Sequence, residues 1–133
     1  MRANVCLAIA AILSCATFGA LAAGKAPEYE IPFQQIHDTC SSYLAEELSL
    51  LANAHVYLAL GAFAYDCLCR LPALRGGLPT PRPRFAHGTE VALFQGEKMI
   101  VCTYHPSQRN VFTGLLTPAM MDAALERAHA LGA

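Results

Sequence analysis

The residues best suited to chemistry in this 133-residue chain stand together towards its C-terminal end: His105, Pro106, Ser107, Gln108, Arg109 and Asn110. An imidazole can donate a hydrogen bond to an oxygen on which negative charge develops, and such a donor contributes roughly 3–4 kcal/mol to a transition state. Pro106 stiffens the backbone beside it. The Ser107 hydroxyl suits a phosphate oxygen, and Arg109 suits either a phosphate or a minor groove. The plain structural alternative is a strand-end histidine that caps a carbonyl.

Two other sets of residues carry chemical potential. Arg70, Arg75, Arg82 and Arg84 fall between Cys67 and Thr89, a stretch with no acidic residue. A net charge of −1 excludes a global positive field. A local basic segment can still meet phosphates, because screening leaves only charges within about 10 Å effective; a solvated loop is the alternative. Of the six cysteines, Cys6 and Cys15 lie in an apolar N-terminal run, leaving Cys40, Cys67, Cys69 and Cys102. Cys67 and Cys69 are two apart on a predicted helix and point to different faces, and no C-x-x-C pair offers a zinc site. Buried thiols fit this pattern.

The elements that must position these groups follow from periodicity. With 55% apolar and 14% charged residues, the chain reads as one globular unit. Residues 1–22 combine Arg2, an apolar run from Val5 to Phe18 and an A-x-A end at Ala20 to Ala22. That is the pattern of a secretory leader, with a transmembrane anchor and a misplaced start or frameshift as the other readings. A cleaved leader places the product outside the cytoplasm and leaves it no stable membrane association.

From residue 23 onward, Pro32 opens an amphipathic helix whose apolar face runs through Phe33, Ile36, Cys40, Tyr43, Leu44, Leu48 and Leu51. Ala54 to Leu60 reads as a buried parallel strand, and Gly61 opens a second helix ended by Pro72. Leu71 to Arg84, rich in proline and glycine, is expected to be irregular. Glu90–Phe94 and Met99–Tyr104 read as a hairpin, the second strand central. Thr117 and Pro118 begin a closing helix. In an open α/β sheet, ligands bind beyond the carboxyl ends of the strands, where His105 falls.

These residues carry a resemblance. The run from Tyr104 to Gly114, followed by Leu116, Thr117, Pro118, Ala119, Met120, Met121 and Asp122, resembles the second active-site motif and last helix of the iron-sulfur uracil-DNA glycosylases, especially the bacterial family 5 branch. Cys40 to Leu44, then Ala59, Leu60 and Gly61, then Phe85, Ala86, His87 and Gly88, are similar to that family in the same order. The resemblance implies a partial three-layer αβα sandwich with a short, mostly parallel sheet, residues 23–133 forming its C-terminal portion. It implies that His105 stabilises charge on a departing base. Pro106, Ser107, Gln108, Arg109 and Asn110, with Arg82 and Arg84 nearby, would face DNA containing uracil or other deaminated bases. Cys40 would match one of four thiolates on a [4Fe-4S] cluster.

The family's water-positioning first motif and the other three cluster cysteines have no counterpart in this sequence. The expectation is therefore an inactive fragment of a cytoplasmic DNA-repair enzyme, without its cluster. An exported, non-enzymatic small α/β module with structural histidines and cysteines is the competing expectation.

Overall fold

The computed structural model describes residues 7–8 and 33–133, with side chains from residue 41 onward. The reading of residues 1–22 as a leader lies outside the described residues, except that Leu7–Ala8 forms a short strand, β1. The remaining elements are α1 (Phe33–Leu50), β2 (Val56–Leu60), α2 (Ala62–Arg70), α3 (Pro72–Arg75), β3 (Glu90–Leu93), β4 (Lys98–Thr103), α4 (Gln108–Phe112) and α5 (Pro118–Gly132). Among the described residues no helix is long and apolar enough to cross a membrane.

One sheet organises them, in the order β1-β2-β4-β3. β1 and β4 flank β2 in parallel, and β3 runs antiparallel to β4. The expected mixed α/β architecture with a mostly parallel sheet is therefore present. β2 is a nearly continuous apolar run because both its faces are covered. Side chains alternate across the sheet. Tyr57, Ala59, Ile100, Cys102, Val91 and Leu93 face one layer, where they meet Leu44 and Leu48 of α1, Leu68 of α2 and Leu74 of α3. Val56, Leu58 and Val101 face the other, where Ala124 and Ala128 let α5 approach closely. The edge strand β3 alternates exposed and buried residues, and its exposed Glu90 takes a two-pronged hydrogen bond from Arg127 of α5, at 2.7 and 3.0 Å.

Local chemistry explains the ends of the elements. The Thr117 hydroxyl accepts from the Met120 amide at 3.2 Å and Pro118 occupies the first turn of α5, as expected. Three expectations need correction. Pro72 does not begin an irregular stretch: it opens the one-turn helix α3, because the buried Leu71 and Leu74 draw that turn onto the core. The strand expected from Ala54 begins at Val56, and the hairpin turns through a 3-10 segment at Phe94–Gly96. Tyr43, placed by periodicity on the buried face of α1, is exposed, whereas Leu44 and Leu48 carry that face.

This layering yields a prediction. Leu58 is 1% exposed between sheet and α5, while Leu115 is 48% exposed beyond α4. Leu58→Ala should lower the free energy of unfolding in urea by about 2–5 kcal/mol. Leu115→Ala should change it by less than about 0.5 kcal/mol. Comparable losses would show that the apolar layer lies elsewhere.

Candidate functional site

The carboxyl ends of β2 and β4 meet at two residues. The Gly61 amide donates to the Thr103 carbonyl at 2.8 Å, continuing the parallel ladder one step past β2. Gly61 has φ +98°, and a Cβ built there would lie 3.1 Å from the Cβ of His105. Its ψ of 164° places it in a region that is essentially glycine's alone. A larger residue would meet His105 before it could complete the turn into α2. Gly61 thus sets how near β2 comes to the imidazole.

Beyond β4 the chain is held by short polar contacts. The His105 carbonyl accepts from the Ser107 amide at 2.8 Å and from the Asn110 side-chain amide, also at 2.8 Å. Ser107 caps α4, its hydroxyl accepting from the Asn110 amide at 3.3 Å. The Asn110 carbonyl accepts from the Leu116 amide at 3.0 Å. His105 itself is half-buried, whereas Pro106, Gln108 and Arg109 are exposed. The run expected to be a plain loop is therefore a stiff turn into a one-turn helix. Ser107 and Asn110, expected to approach DNA, spend hydrogen-bonding groups on the turn itself. Gln108 and Arg109 project from it, next to the exposed Val111 and Phe112.

A second segment reaches the same end of β4. The Gly88 amide donates to the Cys102 carbonyl and the Cys102 amide to the Thr89 carbonyl, both at 2.8 Å. His87 is thereby placed alongside Thr103, with Nδ1 3.1 Å from the Thr103 hydroxyl oxygen. Its ring stacks on Tyr104 at 5.4 Å, and Phe85 meets the same tyrosine edge-on at 6.2 Å. The Phe85–Gly88 motif was visible in the sequence, but nothing in its spacing showed that His87 would lie beside the residues preceding His105.

The two arginines assigned to DNA differ in their surroundings. Arg82 pairs with Asp66 at 3.0 Å and lies over the Tyr65 ring at 5.4 Å. Arg84 is exposed. The acid-free stretch began one residue after Asp66, so the pairing was hidden by a boundary rather than by chemistry. An open cleft lined by Gly76, Gly77, Pro79, Phe94 and Glu97 lies at the other end of β4, away from His105.

Among the described residues the thiols are buried in the core. Burial pushes the Cys102 thiol up to about 12 and raises that of Cys69. Among the described residues no group of three or more His, Cys, Asp or Glu could hold a metal ion. Cys40 lies in α1, but its side chain is outside the described residues. The described residues alone do not supply the four thiolates a cluster takes.

Comparison with known proteins now bears on this geometry. The model of the uracil DNA glycosylase superfamily matches residues 5–129. That span takes in β1 as well as the His105 turn. The chain is 42% identical over 98 residues to the type-5 uracil-DNA glycosylase of Mycobacterium leprae, covering 73% of this chain and 41% of that protein. Identity to the type-5 uracil-DNA glycosylase of Mycobacterium tuberculosis is 43% over 94 residues, or 70% of this chain and 34% of the relative. For that of Thermus thermophilus it is 32% over 106 residues, 80% of this chain and 46% of the relative. The chain spans less than half the length of these relatives.

The turn's internal bracing is directly measurable. Ser107→Ala should free the Asn110 amide at a cost of about 0.5–2 kcal/mol. Hydrogen exchange of that amide should accelerate several-fold more than that of the Val101 amide in β4. Equal acceleration at both amides would mean that Ser107 supports the whole domain rather than the turn.

Proposed function

Because the chain belongs to the uracil DNA glycosylase superfamily, we propose that the turn from His105 to Asn110 receives uracil, or another deaminated base, drawn out of DNA. The observation that carries this reading is the placement of His105 at the carboxyl edge of a parallel sheet, on a turn fixed from both sides, within the span of the family match.

The chemistry follows from the groups present. Breaking an N-glycosidic bond sends the bonding electron pair into the departing base, so negative charge grows on its carbonyl oxygens. The His105 imidazole donates a hydrogen bond to such an oxygen. Because the turn is already braced, little reorganisation is needed when the charge appears. Extruding the base costs a few kcal/mol of stacking. Exposed Gln108 and Arg109 offset that cost at the vacated position, and Arg84 meets backbone phosphate. Arg82 contributes less, since Asp66 already pairs with it. Ser107 and Asn110 serve mainly to hold the His105 carbonyl.

Efficient excision requires more than one electrophile. The water must be positioned as well, because much of an enzyme's rate comes from orienting both reactants. The relatives are more than twice as long as the stretch they share with this chain. We assign water positioning to a portion of the relatives outside that stretch. The chain by itself then recognises the lesion without excising it efficiently.

The test is fluorescence anisotropy on a duplex carrying one non-cleavable 2′-fluoro-deoxyuridine, against the same duplex with thymine. Preference for the uracil duplex by about tenfold is expected. Arg109→Ala should weaken binding to both duplexes and reduce the salt slope by about one. Equal affinity of the unaltered chain for the two duplexes contradicts the reading.

A further inference from the structure

Thr103 is fully buried, and it is the one buried residue outside the apolar, tyrosine and cysteine set among the described residues. Its position is the last of β4, with Val101 two residues earlier on the same face. Valine would fill the space of threonine there and need no partner. Threonine brings a hydroxyl that must be satisfied, since a buried polar group without a hydrogen bond is destabilising. The partner is His87 Nδ1, at 3.1 Å.

The His87 ring also stacks on Tyr104. One side chain therefore grips the two residues that immediately precede His105. On the other side, the Thr103 carbonyl is held by the Gly61 amide. Thr103 and His87 belong to neither apolar cluster of the core. Their hydrogen bond ties the strand end to a segment sixteen residues earlier in the chain, and a directional contact of this kind fixes orientation as well as filling space.

We infer that His87 is a positioning residue: its hydrogen bond to Thr103 and its stacking on Tyr104 set the direction in which β4 delivers His105. The motif Phe85–Gly88 thereby acquires a role. Gly88, at φ +76°, turns the chain directly after His87, and its amide fastens the turn to the Cys102 carbonyl. Phe85 meets the same Tyr104 ring edge-on. The imidazole acts through the strand end and does not itself touch the base. For the lesion this inference rests on the function proposed above; for the pose of His105 it does not.

The decisive variant is Thr103→Val in the full chain, with His87→Phe and His87→Asn alongside. Valine removes the hydrogen bond and preserves shape; phenylalanine keeps the stacking alone; asparagine keeps a polar group near the position of Nδ1. Two readouts are taken besides the melting temperature: the imidazole ¹⁵N and ¹H signals of His105, and the ratio of affinities for uracil and thymine duplexes.

Thr103→Val is expected to melt no lower than the unaltered chain, yet to move the His105 ring signals and reduce the affinity ratio about tenfold. His87→Phe should do the same to the ring signals, and His87→Asn, which keeps the hydrogen bond but not the stacking, should bring them part of the way back. His105 signals unchanged in Thr103→Val overturn the inference, as does a change that merely tracks lost stability. Should His87→Phe fail to fold, Thr103→Val and His87→Asn decide the matter. If the unaltered chain does not distinguish uracil from thymine, the proposed function fails, and the ring signals alone judge His87.

Discussion

The contact on which this architecture turns is the approach of β2 to β4 at their carboxyl ends. A parallel pair buried on both faces has little freedom to splay, because apolar layers press on it from either side. Gly61 there lies against His105, and a Cβ at Gly61 would come 3.1 Å from that of His105, so that one of the two must shift. The same glycine starts α2 and closes the ladder on Thr103. Helix, sheet and functional turn are therefore coupled through one residue with no Cβ. Displacing it would move the imidazole and the helix together.

Seen from that contact, the chain divides its labour sensibly. The sheet and its two apolar layers provide a rigid edge. Polar residues at that edge are mostly used on one another: Ser107 and Asn110 on the turn, Thr103 and His87 on the strand end. What remains exposed, Gln108 and Arg109 above all, is available to a partner. A preorganised imidazole of this kind is useful for a transient anion, since donors fixed in advance incur little reorganisation as charge forms.

Much of this was legible in the sequence, and the exceptions have physical causes. The buried strand at Val56–Leu60, the hairpin, and the Thr117–Pro118 helix start all rest on local patterns within ten residues or so, and each is present. The placement of His105 at a strand end was likewise local. Contacts between distant segments were not readable. Nothing near Arg82 identifies Asp66 as its partner across a turn and two helices. Nothing near His87 shows that it faces Thr103, because that depends on the register of β3 against β4. Pro72 could be read as a terminator or as a first-turn residue. Burial of Leu71 and Leu74 selected the second. Ser107 was read for what it might bind outside the chain, and its nearest unsatisfied donor proved to be the Asn110 amide.

Whether the close approach of β2 to β4 sets the pose of His105 can be read from a comparison of Gly61→Ala with Gly76→Ala. Gly76 has an ordinary helical φ of −68° and nothing within 4 Å of a built Cβ. Backbone amide spectra and unfolding free energies of the two variants suffice. Gly61→Ala should cost about 1–3 kcal/mol from its backbone conformation and shift the amides of Thr103 to Ser107. Gly76→Ala should leave those amides in place and cost nothing measurable. Two variants alike in stability, with the His105 amide unmoved in both, would contradict it.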